Sequence, residues 1–375
     1  MVSAGASTSR TFTVQVAEMA ARLRQDGVPL ADMRSSDPLE LRFAGAFDLR
    51  MPKPDDMPDG VERIETDLIE ARTVPAMQRP SRLRYFLDGT QRTMQVWRVG
   101  VVPIATTIAA AALLYRTPEG AVEIAPGTLR FKHVWLIPRR CAQPGLEDVV
   151  VAIEASGGEV FDPLDEFAEA EYAALAGDYG KLQQASYIAS RWVREELELK
   201  LLDEWGRGAP DRSDDDWLVV DGRLQLVVPN AIGLVKSMTR QQLSGIEAIR
   251  VFNLAPAERT TAFRLPLDKW REHGLRYDLH SIPASGPFDA PTLWFVRLHN
   301  ALGQDARHAL VRVEASKDVR GAEQIDELSA WLLAERAPRA TSDARWATLL
   351  YPIHLLEEIL KRRVDAHTRG WPAAR

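Results

Sequence analysis

A chain of 375 residues, 46% hydrophobic and 27% charged, has the make-up of a globular protein with a sizeable core, enough for one elaborated domain or two smaller ones. The formal net charge of −6 excludes a broad electrostatic grip on phosphates, so any nucleic-acid contact must be local, metal-mediated or shared with a partner. The single cysteine, Cys141, excludes an internal disulfide and a cysteine-based metal cluster and fits a reducing cytoplasm.

In chain order, the first ten residues (MVSAGASTSR) carry no apolar signal segment. Residues 14–24 (VQVAEMAARLR) have apolar positions at helical spacing. Prolines 38, 52, 54, 58, 75 and 80 then punctuate the chain, and the pattern predicts a helix over 61–72 (VERIETDLIEAR). Residues 1–80 therefore read as a helical and irregular N-terminal extension, able to wrap or dimerise a neighbouring domain or to form a surface layer, and 81–375 as the main domain. Residues 84–115 predict three consecutive strands, YFLDG, MQVWRVGVV and TIAAAALLY, in an antiparallel meander. The longest apolar run, 99–115, contains Pro103, Thr106 and Thr107 and falls short of a membrane span; it reads as two core strands, and no membrane contact is expected.

Residues 123–137 add less regular β-like material, and 165–205 long helices. Over 187–205 the apolar residues Ile188, Trp192, Val193, Leu197, Leu201 and Trp205 follow the 3.6 repeat. A Gly/Pro/acidic loop (206–216) ends that helix, and a buried strand, Trp217-Leu-Val-Val, closes in Asp221-Gly222. Residues 231–238 lead into helical or mixed structure over 240–257. Two strands follow, TLWFVRLH and ALVRVEA, joined by a polar turn with Gly303 and Asp305. Helices over 321–336 and 346–363 close the chain before a charged tail with Trp371-Pro372. This order of strands, helix, strands and helices points to one mixed α/β domain.

Two apolar strands end in the same pair, Asp88-Gly89 and Asp221-Gly222. A lone Asp-Gly is a common turn. Two of them on buried strands place like charges at one sheet edge, an expensive arrangement unless a cation lies between them. A helix acid between them in sequence would complete a carboxylate set. Glu195, Glu196 and Glu198 compete for that place; Glu195 shares a face with Glu198 and Glu196 does not. Glu198 is favoured because Leu197 and Leu199 bracket it. Phosphodiester hydrolysis by two divalent cations needs such hard oxygen ligands, which suit Mn²⁺ or Mg²⁺. No HExxH or Gly-x-Ser-x-Gly occurs, and Gly233-Leu-Val-Lys-Ser237 lacks the spacing of a nucleotide-binding P-loop, so zinc-hydrolase, α/β-hydrolase and nucleotide-hydrolysing chemistry are not expected. The ten tryptophans lie mostly in apolar runs and read as core.

Several of these stretches, in order, resemble the NurA family, ribonuclease H-like nucleases that work with the hexameric HerA-type ATPase in DNA-end processing. Phe86-Leu-Asp-Gly-Thr90 is similar to the family's opening strand, Arg194-Glu-Glu-Leu-Glu-Leu-Lys-Leu-Leu202 to its glutamate-bearing helix, and Leu218-Val-Val-Asp-Gly-Arg-Leu224 to its second Asp-Gly strand. Gly233-Leu-Val-Lys-Ser237 is similar to the step after it, Phe295-Val-Arg-Leu-His299 with Val311-Arg-Val-Glu314 to the late strand pair, and Leu350-Tyr-Pro-Ile353 to the start of the last helix. The resemblance implies a ribonuclease H-like mixed sheet flanked by helices. It further implies a metal-dependent deoxyribonuclease whose Asp88, Glu198 and Asp221 hold Mn²⁺ or Mg²⁺ and whose Lys236 contacts the scissile phosphate. DNA, a HerA-like translocase and a second copy of the chain are the implied partners, with end resection or defence against foreign DNA as settings and a cytoplasmic location. One departure stands out. Where the family places a metal-binding histidine on the last helix, this chain has Ile359, and Glu358, Glu357 or His354 is left to complete the site. If none does, the alternative is a catalytically weak or inactive nuclease-like scaffold that binds the ATPase.

Overall fold

The computed structural model describes residues 12–28, 30–32, 60–165, 167–210, 212–236, 242–266, 290–301, 306–338 and 346–369. Its first elements are helix α1 (Phe12–Gln25) and the short strands β1 (Ala31–Asp32), β2 (Glu62–Arg63) and β3 (Ala71–Thr73). A long hairpin follows, β4 (Leu83–Val99) and β5 (Val102–Arg116), then β6 (Val122–Ile124) and β7 (Arg130–Leu136). Next come α2 (Leu146–Ala155), β8 (Glu159–Phe161), α3 (Glu169–Leu175) and the 28-residue α4 (Tyr179–Gly206). The second half holds β9 (Trp217–Asp221), β10 (Ala231–Val235), α5 (Gly245–Phe252), β11 (Glu258–Thr260) and β12 (Phe263–Arg264). It closes with β13 (Thr292–Arg297), β14 (Leu310–Ala315), α6 (Ala322–Glu335) and α7 (Tyr351–His367).

All fourteen strands among the described residues join one mixed sheet, whose main path runs β2-β12-β13-β14-β10-β9-β4-β5-β7-β8. β4, β5 and β7 pair antiparallel in succession, while β9 runs parallel to β4 and β10 parallel to β9. The sheet is buried on both faces at its centre, which is why β5 reads as a near-continuous apolar run, interrupted by Thr106 and Thr107, rather than an alternating one. On one face, Phe86, Val219, Ile232, Trp294 and Val313 pack under α6 and α7 through Leu328, Trp331, Ile353, Leu356 and Leu360. On the other, Leu87, Val220 and Ala231 pack under α4 through Val193, Leu197, Leu201 and Trp205. Further along that second face, α5 covers Phe263, Leu293 and Phe295. Helix α1, with α2 and α3, closes a separate core over the tip of the β4–β5 hairpin.

Three expectations are corrected. Residues 61–72 do not form a helix: they supply β2 and the start of β3, which pair with β12 and β11. Sheet pairing and the buried Ile69 outweigh the helical spacing of that segment. The predicted meander has two strands here, not three, because Asp88-Gly89 does not turn the chain; β4 runs through it, paired residue by residue with β5. The apolar run 99–115 is correspondingly not two full strands: Val99 ends β4, the chain turns through Gly100 in the left-handed region (φ +56°), and 102–115 form the single core strand β5. The turn with Gly303 and Asp305, Ser237, the first four punctuating prolines and Trp371-Pro372 lie outside the described residues. Among the described residues no helix is long and apolar enough to cross a membrane.

Candidate functional site

Leu87 of β4 pairs with Val220 of β9, so the next residues, Asp88 and Asp221, stand side by side on neighbouring strands, with backbones ~5 Å apart. By alternation from Phe86 and Val219, both aspartates point to the face that carries α7. β9 ends at Asp221: Gly222 adopts φ +118°, turning the chain away after its N–H bonds Leu234 O at 3.0 Å. β4 continues, and among the described residues no strand takes up its open edge until β1 pairs at Trp97 and Arg98. The sheet thus has a notch beside Asp88, where groups from its two faces can meet.

Helix α4 brings the third acid from the opposite face. Gly89 is the point of approach: a Cβ there would overlap Glu198 Oε1 and come within 2.9 Å of Arg194 Cγ and 3.1 Å of Glu198 Cδ. Only a residue without a side chain lets the helix carboxylate lie on the strand at this position. The choice among three glutamates is settled by packing. Glu198 is 9% exposed and faces the notch. Glu196 turns to Lys132 (3.0 Å) and Lys200 (2.6 Å), while Glu195 lies 3.5 Å from Arg194 and 3.7 Å from Arg191.

Electrostatics bind these groups into one cluster. Burial, then the charges of Asp221 and Glu198, push the Asp88 carboxyl well above the usual carboxylate range; Lys236 opposes this and Glu357 of α7 adds to it. Burial likewise pushes Glu198 up to about 7, with Arg194 pulling down and Glu195 and Asp221 pushing up. Lys236 Nζ sits 2.7 Å from Asp221 Oδ1, and Arg194 Nε sits 3.2 Å from Glu198 Oε1. The loop after Asp221 is fastened from below by Glu314, fully buried, which accepts from Leu224 N (3.0 Å) and from Arg312 (2.6 Å).

Asp88, Glu198, Asp221 and Lys236 are therefore brought together. On α7, Glu357 and Glu358 both lie near Lys361, at 3.0 and 3.4 Å; Glu357, 14% exposed against 41% for Glu358, is the one whose charge acts on Asp88. Ile359 packs against the apolar core, and His354 Nδ1 is buried without a hydrogen-bond partner. Arg194 went unremarked in the sequence, although its position one helical turn before Glu198 was the available signal.

Four carboxylates offer only hard oxygen donors, a set whose chemistry suits Mg²⁺ or Mn²⁺. As the side chains stand, no three acids, histidines or cysteines among the described residues are close enough together to hold a metal ion; Lys236 and Arg194 occupy two of the carboxylates. Comparison with protein-family models and with curated proteins finds no match to this chain.

Proposed function

We propose that this chain is a divalent-metal-dependent deoxyribonuclease of the NurA type, built on a ribonuclease H-like arrangement. The observation that carries the reading is the meeting of Asp88 and Asp221 at neighbouring register positions with Glu198 laid against Gly89. The connectivity supports it, since the glutamate helix lies in sequence between the antiparallel strand bearing the first aspartate and the parallel strand bearing the second. So does the energetics: like charges gathered at low exposure are unfavourable alone and become favourable around a cation.

Asp88, Asp221 and Glu198, with Glu357 in the place of the family's histidine, would hold Mn²⁺ or Mg²⁺. The bound cations supply an activated water and a stabilised leaving oxygen. The chain's own residues orient that chemistry. Lys236, 12% exposed, steadies Asp221 and sets a positive charge beside the phosphate under attack. Gly89 fixes the approach of the Glu198 carboxylate, and Glu314 holds the loop that begins at Gly222. The net charge of −6 suits an enzyme to which a HerA-like hexameric ATPase delivers DNA, acting on a homodimer in end resection or defence.

A second reading, a nuclease-like scaffold for the ATPase, is favoured by one observation: Asp221 and Glu198 are already neutralised by Lys236 and Arg194, while Ile359 packs into the core. Linear DNA incubated with Mn²⁺, with and without the ATPase, separates the two. Cleavage by the wild type that is lost in Asp88→Asn/Asp221→Asn supports the nuclease. No cleavage under any metal or partner condition assigns the scaffold.

A further inference from the structure

We propose that Arg194 is a phosphate-binding residue held in reserve: it neutralises Glu198 in the metal-free site and, when a divalent cation takes the carboxylates, turns its guanidinium to the nucleic-acid backbone. The inference rests on the metal-nuclease reading above and assigns a residue that the reading did not use.

The contact differs from three buried or half-buried arginine–carboxylate pairs made across the fold. Arg63 with Glu247, Arg116 with Glu335 and Arg259 with Glu65 each engage their acid through two nitrogens. Those are planar forks with the geometry of permanent struts. Arg194 meets Glu198 through Nε alone at 3.2 Å, and that nitrogen makes no hydrogen bond. Its Nη2 makes only a long contact with Glu195 at 3.5 Å. A guanidinium carries five N–H donors, so most of its capacity is uncommitted here.

Its position gives that capacity a use. The stem is pinned over Gly89, where Cγ would lie 2.9 Å from an added Cβ, so the side chain is anchored beside Asp88. Nε is buried while the side chain as a whole retains 29% exposure. Lys236 stands at Asp221 from just beyond the end of β10, and Arg194 at Glu198 from the helix. Two cationic groups thus flank the carboxylates from opposite faces of the sheet, the disposition that a bridging phosphate requires. A metal ion and Arg194 cannot both neutralise one Glu198 oxygen, so metal loading releases the guanidinium, and its planar donors match a phosphodiester.

Mn²⁺ alone, titrated calorimetrically into the full-length protein, tests the competition without any turnover. Arg194→Gln removes a charged competitor for Glu198 and is expected to bind Mn²⁺ roughly ten- to a hundredfold more tightly than the wild type. Arg194→Lys, which keeps the charge, returns the affinity toward the wild-type value and serves if the glutamine variant folds poorly. In the second arm, single-stranded DNA binding is measured with Ca²⁺. Arg194→Gln should weaken binding and reduce the slope of log affinity against log salt by about 1. Equal or weaker Mn²⁺ binding by Arg194→Gln, or an unchanged salt slope, overturns the proposal while leaving the nuclease reading in place. If the wild type itself binds no Mn²⁺, it is the metal-site reading that fails.

Discussion

Replacing Gly89 by alanine is the sharpest test of the way the helix and strand meet. The backbone at this position is ordinary extended strand, so alanine brings no conformational strain and, by restricting the unfolded chain, would by itself stabilise by about 0.4–1 kcal/mol. Against this, the new methyl group would overlap Glu198 Oε1 and sit 2.9 Å from Arg194 Cγ and 3.1 Å from Glu198 Cδ. The Glu198 carboxylate can swing away, but Arg194 Cγ is close to the helix backbone and moves only with α4. Overpacking of this kind costs about 1–3 kcal/mol, so the net expectation is a loss of about 1–2 kcal/mol. Urea unfolding followed by circular dichroism reads it directly as a lower midpoint at unchanged slope. On the proposed function, because the carboxylate must shift by about 1 Å, metal-dependent cleavage should also fall by about 10²-fold. Gly89→Ala/Glu198→Ala should recover part of the stability and none of the activity. A Gly89→Ala protein as stable as the wild type, or more so, would refute the close approach on which the site is built.

Three further outcomes follow from buried charges elsewhere and within the site. Asp88→Asn removes a carboxylate raised by burial and by its acidic neighbours, so in chelator at pH 8 the variant should unfold at a higher temperature than the wild type while losing metal-dependent cleavage; a lower melting temperature argues against like-charge crowding. His133, pushed down to about 4 by burial and by His367, stays neutral in the folded state while the unfolded chain takes up a proton below pH 6.5. Its contribution is therefore full above pH 6.5 and is lost as the pH falls toward 4, at most roughly 3 kcal/mol, and His133→Asn should flatten the stability–pH curve in that window. Arg259, fully buried, grips Glu65 at 2.8 and 2.9 Å and Asp326 at 2.5 Å, tying the chain around residue 65 to β11 and α6. Arg259→Leu should cost about 3–5 kcal/mol, and adding Glu65→Leu should return much of it; strictly additive losses in urea unfolding would contradict the coupling.

Much of this was legible in the chain itself. The apolar runs that end at Asp88 and Asp221 announced buried strands, and the 3.6 repeat over 187–205 announced the helix between them. Local pattern failed where a segment's partner lies far away in sequence. Residues 61–72 carry helical spacing, yet they are drawn into strands by β11 and β12, nearly 200 positions later. Asp88-Gly89 looks like a turn, yet β5 pairs through it without a break.

The residue types and their order determined which elements form and which acids they carry, because periodicity and side-chain chemistry are local properties. Register and packing decided the rest. Only the pairing of Leu87 with Val220 set Asp88 beside Asp221, and only the contact of α4 with Gly89 laid Glu198, which its flanking leucines already favoured, against the strand. Likewise, that the less exposed Glu357 rather than Glu358 acts on Asp88 follows from how α7 packs on the sheet, which no short stretch of sequence encodes.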